Sequence, residues 1–385
     1  MLASPMLRPA RNVRATATQQ SPYIICAAAV AAICCVASTA GKPDAAVRFV
    51  VTADAHYGIS RPAFRGGTNV GAQTVNRALV SAMNRLGVPV DFVAEAGDIA
   101  NRQEGVGADA IQSASTSWGQ FEHDYIEGVT LRDRAGRRTP ILVVPGNHES
   151  SNAVGFYQPM TPSIDTGPMV AIFNLMMRPK TVRTLGTFDY ARDRIWYSRD
   201  YGGVHFVFVS LWPDSAARRW LEADLARVAP TMPVLLVTHD QPDVEAKHLR
   251  NPNGRHDIND VDRFENLLSD TLADGQTIDT PTVIEQRALE SFLHRHANIL
   301  GYFHGNSNWN QFYDWNGPDG TIGLHVFRVD SPMKGKASLS DERRLSFQVA
   351  TIDPARRELT VREYLWNTAT WGDQVTVALK VSSRP

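Results

Sequence analysis

Val143-Val144-Pro145-Gly146-Asn147-His148-Glu149 takes a short apolar run into a Pro-Gly turn and then delivers an amide, an imidazole and a carboxylate in consecutive positions. By itself this is a loop with a polar cluster. Four further apolar runs change the reading, because each also stops abruptly at residues able to ligate metal. Residues 49–53 precede Asp54-Ala55-His56, and residues 92–96 precede Gly97-Asp98. Residues 234–237 precede Thr238-His239-Asp240, and residues 299–303 precede His304-Gly305-Asn306-Ser307-Asn308. Five strand-like runs with candidate ligands at their carboxyl ends describe a metal site at one edge of a sheet.

The chain around these runs alternates strand and helix. Residues 47–53 are apolar almost without alternation, as in a strand covered on both faces. Val75, Ala78, Leu79, Ala82, Met83 and Leu86 then recur at helical spacing, and Gly87 stops the helix. Strands over 90–96 and 140–144, with a helix over 118–129 between them, predict a parallel sheet with right-handed crossovers. The Gly-, Arg- and Pro-rich loop 58–69 is expected to border the site. Residues 151–195 carry little periodicity and read as an insertion lying over it. Residues 197–211 read as a hairpin passing into a buried strand, in which His205 is a satisfied core histidine.

Helices are expected from Trp220 to Val228, over 258–272 and over 284–296, and a strand over 323–330. Loop 247–262 reads as solvated, since it lacks the calcium-loop spacing. The glycine pattern over 105–110 sits in no strand-to-helix turn and is set aside. Strands over 345–352 and 358–366, joined by a turn over 353–357, form an antiparallel pair assigned to a second sheet packed on the first. The fold class is therefore α/β. The domain reading is a single domain over 41–385, with the insertion 151–195 and C-terminal strands within 345–385.

Composition narrows the function classes. Of 385 residues, 43% are hydrophobic, enough for a sizeable core. Lysine and arginine total 39 against 40 acidic residues, which argues against a polyanion such as nucleic acid as partner. Arg8, Arg11 and Arg14 are the only charges among the first 40 residues, followed by an apolar stretch from Tyr23 to Ala37 and the small residues Ser38-Thr39-Ala40. This is the pattern of a signal peptide cleaved near Ala40, so a secreted or periplasmic location is expected. The apolar stretch is shorter than the roughly 20 residues a membrane span needs, so no stable span is expected. Cys26, Cys34 and Cys35 all lie in that segment, and its removal would leave neither disulfides nor thiolate ligands.

Carboxylates and neutral imidazoles without thiolates suit Zn, Mn or Fe. Asp54 and His56, two apart just past a strand, can turn towards one ion. Asp98 can bridge two ions through its two oxygens, and Asn147 and His239 can serve the second. Ions roughly 3.5–4 Å apart can hold a phosphoryl oxygen and a bridging hydroxide that attacks phosphorus in line. His148 cannot easily share an ion with adjacent Asn147. It is therefore given the leaving-group role, with Glu149 as its candidate orienting partner.

Asp-x-His, Gly-Asp, Gly-Asn-His-Glu and Thr-His, in this order, resemble the calcineurin-like metallophosphoesterase superfamily over residues 47–330. Trp220-Leu221-Glu222-Ala223-Asp224-Leu225 is similar to a helix in its purple-acid-phosphatase-like branch. The resemblance implies a four-layer α/β/β/α sandwich of two mixed sheets flanked by helices, a dinuclear site, and phosphomonoester or phosphodiester hydrolysis. It implies two divalent or trivalent ions and a small phosphorylated substrate. Asp54 and His56 would then serve the first ion, Asp98 both, and Asn147 and His239 the second.

The fifth motif departs from the family's Gly-His-x-His. In one register Asn306 and Asn308 stand where histidines are usual; in the other, His304 alone is kept. Asparagine is a neutral and weaker ligand, so a secreted, metal-depleted relative that binds phosphorylated ligands is the alternative reading. A serine hydrolase lacks its Gly-x-Ser-x-Gly elbow here, and a P-loop lysine motif is absent.

Overall fold

The computed structural model describes residues 46–101, 112–150, 166–189, 192–244 and 279–380. The leader, the glycine pattern at 105–110, the first part of the insertion, loop 247–262 and the helix expected over 258–272 lie outside the described residues. The chain opens with β1 (Val47–Thr52), the hairpin β2 (Ser60–Phe64) and β3 (Gly67–Gly71), then α1 (Ala72–Asn84) and β4 (Phe92–Glu95). Next come α2 (Ala114–Phe121), β5 (Ile141–Val143), α3 (Asn147–Ser150) and α4 (Gly167–Met177). They are followed by β6 (Trp196–Tyr201), β7 (Val204–Val209), α5 (Ser215–Leu225), β8 (Val234–Val237) and α6 (Asp279–Arg295). The remaining strands are β9 (Ile299–His304), β10 (Gln311–Trp315), β11 (Leu324–Arg328), β12 (Ser346–Asp353), β13 (Glu358–Leu365) and β14 (Thr370–Ala378).

Two six-stranded mixed sheets result, in the orders β14-β13-β12-β1-β4-β5 and β10-β11-β9-β8-β7-β6. The α/β expectation therefore holds. Within the first sheet β1, β4 and β5 run parallel, and within the second β7, β8, β9 and β11 do. The C-terminal antiparallel pair differs from expectation. Instead of founding a second sheet, β12 pairs with β1, setting Val47 opposite Ile352, and extends the first. The second sheet is built from β6 to β11.

The reason the strands read as continuous apolar runs is visible in β7. Phe206 and Phe208 enter the core shared with β1 and β4, while Val207 and Val209 pack with Leu221, Leu225, Leu289 and Phe292 of α5 and α6. Both faces of the strand are covered, so period-two alternation is lost. Phe49 stacks on Phe92 at 4.8 Å, and both rings meet Phe206 edge-on at 5.2 and 4.9 Å. Each such pair adds about 0.5–1.5 kcal/mol beyond area burial, and together they join the two sheets.

Helix starts follow local capping. Asp214 accepts the Ala217 N–H at 2.8 Å to begin α5, and Ser113 accepts that of Thr116 at 3.0 Å to begin α2. Helix α2 starts before the expected residue 118 and widens at Glu122–Glu127 into a π-helical turn.

The described part of the insertion contains α4, which buries Pro168, Met169, Val170, Ile172, Phe173 and Met176. The Met176 sulfur meets the Val143 N–H at 3.2 Å, so α4 packs beside β5. It is apolar nearly all round, which is why no helical stripe shows in its sequence. His205 is held between Asp200 and Asp224, at 2.6 and 2.9 Å from its two ring nitrogens. Among the described residues no helix is long and apolar enough to cross a membrane.

Candidate metal centre

Strands β1, β4, β5, β8 and β9 end at one edge, and the loops leaving them carry Asp54 and His56, Asp98, Asn147, His239, and Asn306 with Asn308. Backbone hydrogen bonds tie these loops together within each sheet, and a backbone-to-carboxylate bond from Asn306 to Asp54 joins the two sets. Asp54 N–H donates to the Gly97 carbonyl at 2.8 Å, His56 N–H to that of Asp98 at 2.9 Å, and Gly305 N–H to that of His239 at 3.0 Å. Asn306 N–H donates to Asp54 Oδ2 at 3.0 Å.

The approach of these loops leaves no room for side chains at two glycines. A Cβ at Gly146 would lie 2.4 Å from the Asp98 nitrogen, and one at Gly305 would lie 2.6 Å from the Ala53 Cβ. Asp54, His56, Asp98, Asn306 and Asn308 all have positive φ, from 42° to 65°. Each such residue stores strain of order 1–3 kcal/mol, and clustered strain of this kind marks a functional site.

Asp98 sits at the centre. Its Oδ2 lies 3.8 Å from His56 Nε2 and 3.6 Å from His148 Nε2, while its Oδ1 lies 3.2 Å from His239 Nε2. The two oxygens thus face two ligand sets, as a bridging carboxylate requires. Burial alone would raise the Asp98 carboxyl, but the facing imidazoles hold it well below its usual range.

The donor chemistry fits bound cations. Asp54 Oδ1, His56 Nε2 and Asn308 Oδ1 are buried, and none has a hydrogen-bond partner among the described residues. Such orphaned atoms are rare unless a water or ion satisfies them. His56 Nδ1 lies 3.2 Å from Asn101 Oδ1, an acceptor, so Nδ1 carries the proton and the Nε2 lone pair turns inward. His239 is oriented in the same way by the Ala96 carbonyl, 2.7 Å from its Nδ1. Its Nε2 then faces two acceptors, Asn147 Oδ1 at 3.0 Å and Asp98 Oδ1.

Only a proton or a cation relieves that crowding. Burial pushes the His239 imidazole down, but Asp98 and Asp54 overcome this and raise it to about 10. Burial raises the Asp54 carboxyl to about 8 against the opposing charge of His239. The site is short of positive charge, and oxygen and nitrogen donors without sulfur suit Zn, Mn or Fe.

The remaining expected residues fall as follows. His148 donates its backbone N–H to Asp98 Oδ1 at 2.9 Å, and its ring stands 4.7 Å from that of His56. Its side chain is 17% exposed, against none for His56 and His239, so it faces the open side. Glu149 is elsewhere engaged. Its Oε1 accepts the N–H groups of Ile99 and Ala100, both at 2.7 Å, and its Oε2 those of Asp98 at 3.0 Å and Gly146 at 2.7 Å. Those four donors correct its expected role: Glu149 clamps the Asp98 loop rather than orienting His148.

His304 ends β9, with its ring nitrogens against the Tyr313 hydroxyl at 3.1 Å and the Gly305 carbonyl at 2.9 Å. Asn306 directs its amide nitrogen to Asp240 Oδ1 at 2.9 Å and to Gln241 Oε1 at 3.2 Å. Loop 58–69 is largely the β2–β3 hairpin, whose buried Arg61 donates to the carbonyls of Pro332 and Ser338.

Sequence reasoning missed Asn101 and Lys334. The Lys334 Nζ lies 3.3 Å from His148 Nε2. Its signal was the end of one more strand, β11, which runs parallel to β9 and so arrives at the same edge.

The profile of the calcineurin-like phosphoesterases matches residues 47–328, which contain all of the candidate ligands. The chain belongs to this family. This phosphoesterase is similar in fold to a dimetal phosphatase from Danio rerio, at 13% identity and a TM-score of 0.47, with 89% of this chain and 100% of that one covered. It is also similar to a putative 5'-nucleotidase from Staphylococcus aureus, at 11% identity and a TM-score of 0.36, with 88% and 55% covered. A third likeness is to a phosphopantetheinyl hydrolase from Mycobacterium tuberculosis, at 15% identity and a TM-score of 0.33, with 75% and 91% covered. No curated protein matches the sequence. The family makes the chain a metal-dependent phosphoesterase.

Proposed function

We propose that this phosphoesterase hydrolyses phosphate mono- or diesters at a dinuclear centre held by Asp54, His56, Asp98, Asn147, His239, Asn306 and Asn308. The observation that carries the reading is the set of buried, unsatisfied atoms on Asp54, His56 and Asn308, around an Asp98 whose two oxygens face different imidazoles. When bound, paired ions supply Lewis-acid charge at the phosphoryl group and a nucleophile at neutral pH.

The chain's own residues do the rest. Asn101 and the Ala96 carbonyl fix the tautomers of His56 and His239. Glu149 holds the Asp98 loop in place. His148, on the exposed side, donates a hydrogen bond or proton to the leaving oxygen. We take the first 40 residues as an export signal, on the strength of their sequence pattern, and N-terminal sequencing of the mature protein tests this.

A second reading rests on Asn306. Its side chain is neutral and its amide nitrogen is turned onto Asp240 and Gln241, which favours a metal-depleted binding protein. One experiment separates the two. Wild type and His148→Ala are loaded with manganese or zinc, their metal content is measured by mass spectrometry, and turnover is followed on p-nitrophenyl phosphate and bis-p-nitrophenyl phosphate. The enzyme reading expects about two ions per chain in both proteins and turnover about 10²- to 10⁴-fold lower in the variant. One ion or none, with no wild-type turnover, supports the binding protein instead.

A further inference from the structure

We propose that Lys334 is a substrate-contacting residue whose ammonium binds non-bridging phosphoryl oxygens beside His148; this rests on the phosphoesterase reading above. After β11 the chain crosses the site edge as Asp330-Ser331-Pro332-Met333-Lys334, and the Val329 N–H is still bonded to the His304 carbonyl at 2.9 Å. Ser331 is fully buried and anchors this segment. Its Oγ donates to the Asp54 carbonyl at 2.9 Å and accepts the N–H groups of Met333 at 3.2 Å and Lys334 at 2.9 Å. On the far side, Lys336 N–H donates to the Asn308 carbonyl at 2.7 Å. Arg61 holds the Pro332 carbonyl at 2.8 Å from beneath.

The segment carrying Lys334 is therefore tied, through Ser331 and Lys336, to the main chain of Asp54 and of Asn308, a candidate metal-binding residue on either side. Its Nζ lies 3.3 Å from the Nε2 of His148, the part-exposed imidazole on the open side. An ammonium has three donors and no acceptor, and so does not itself ligate a metal ion. A compact point charge carried on an anchored backbone next to the leaving-group residue suits an incoming phosphate.

The test uses full-length wild type, Lys334→Gln and Lys334→Arg loaded with manganese. Titration calorimetry measures binding of inorganic phosphate, mass spectrometry the metal content, and steady-state kinetics the hydrolysis of p-nitrophenyl phosphate. The proposal expects unchanged metal content in Lys334→Gln and phosphate affinity about 10- to 100-fold weaker, the range for a charge-assisted hydrogen bond. It also expects a raised KM and recovery of most of the affinity in Lys334→Arg.

Wild-type phosphate affinity in Lys334→Gln overturns it, as does a loss of metal from that variant, which would make Lys334 a support of the centre. Absence of measurable phosphate binding by the loaded wild type overturns it as well. Failure of the phosphoesterase reading looks different: phosphate binding would depend on Lys334 in a wild type that turns nothing over, and Lys334 would stand as an anion contact.

Discussion

Glu149→Gln is the substitution that most directly tests how the centre is held. The Glu149 carboxylate is almost fully buried and accepts four backbone N–H groups, two on each oxygen. Glutamine keeps one acceptor oxygen and puts an NH₂ donor in place of the other. In either orientation two buried N–H groups then face a donor. Each unsatisfied group costs about 1–3 kcal/mol, so the loss is roughly 2–6 kcal/mol before any compensation.

Some compensation follows from the charge. Burial and Asp98 push the Glu149 carboxyl up to about 7, against the pull of the backbone donors, so removing the charge recovers part of the loss. A net destabilisation of about 2–4 kcal/mol is expected, a large share of the 5–15 kcal/mol typical of a folded protein. It is read as a lower urea midpoint at unchanged slope. Metal content should fall with it, because the released backbone carries Asp98. Two results would refute the reasoning. A variant with the wild-type midpoint and metal content but no turnover would make Glu149 a chemical partner of His148. A variant unchanged in all three respects would show that the four hydrogen bonds do not restrain the loop.

Other perturbations probe the metal set itself. Asn308→His places an imidazole where the family pattern has one, and manganese affinity measured against a competing chelator should rise on the order of tenfold. A weaker complex would mean that the left-handed backbone at Asn308, with φ 65°, does not accept histidine as a ligand there. The metal-free protein should lose stability as pH rises. Asp54 moves from 3.8 up to about 8 on folding and His239 from 6.5 up to about 10. Both bind protons more tightly in the folded state, so their contribution is complete below the unfolded values and disappears as pH passes through the folded ones. Buried His56 and His304, drawn down on folding, act in the opposite sense only below about pH 6.5. The urea midpoint of chelator-treated protein is therefore expected to fall from about pH 7 to pH 10 and to flatten when manganese replaces those protons. A midpoint that climbs over that interval in the absence of metal would contradict the geometry around Asp98.

What the sequence determined by itself was local. Strand runs covered on both faces, the turn at Pro145-Gly146 and ligand-type residues just past each run are properties of a few consecutive positions. They sufficed for the α/β class, the five strand ends and their candidate ligands. Helix α4 stayed hidden for an equally local reason: a segment apolar on every side has no stripe to read.

The tertiary structure decided which strands are neighbours and which way the buried groups turn. Pairing of Val47 with Ile352 adds the C-terminal strands to the sheet of β1, and no short stretch encodes a partner that far along the chain. The same packing splits the five ligand-bearing strands between two sheets and brings β11 with Lys334 to their common edge. It also turns Glu149 away from its neighbour His148 and onto the Asp98 loop, because four unpaired backbone N–H groups in a buried place needed a carboxylate.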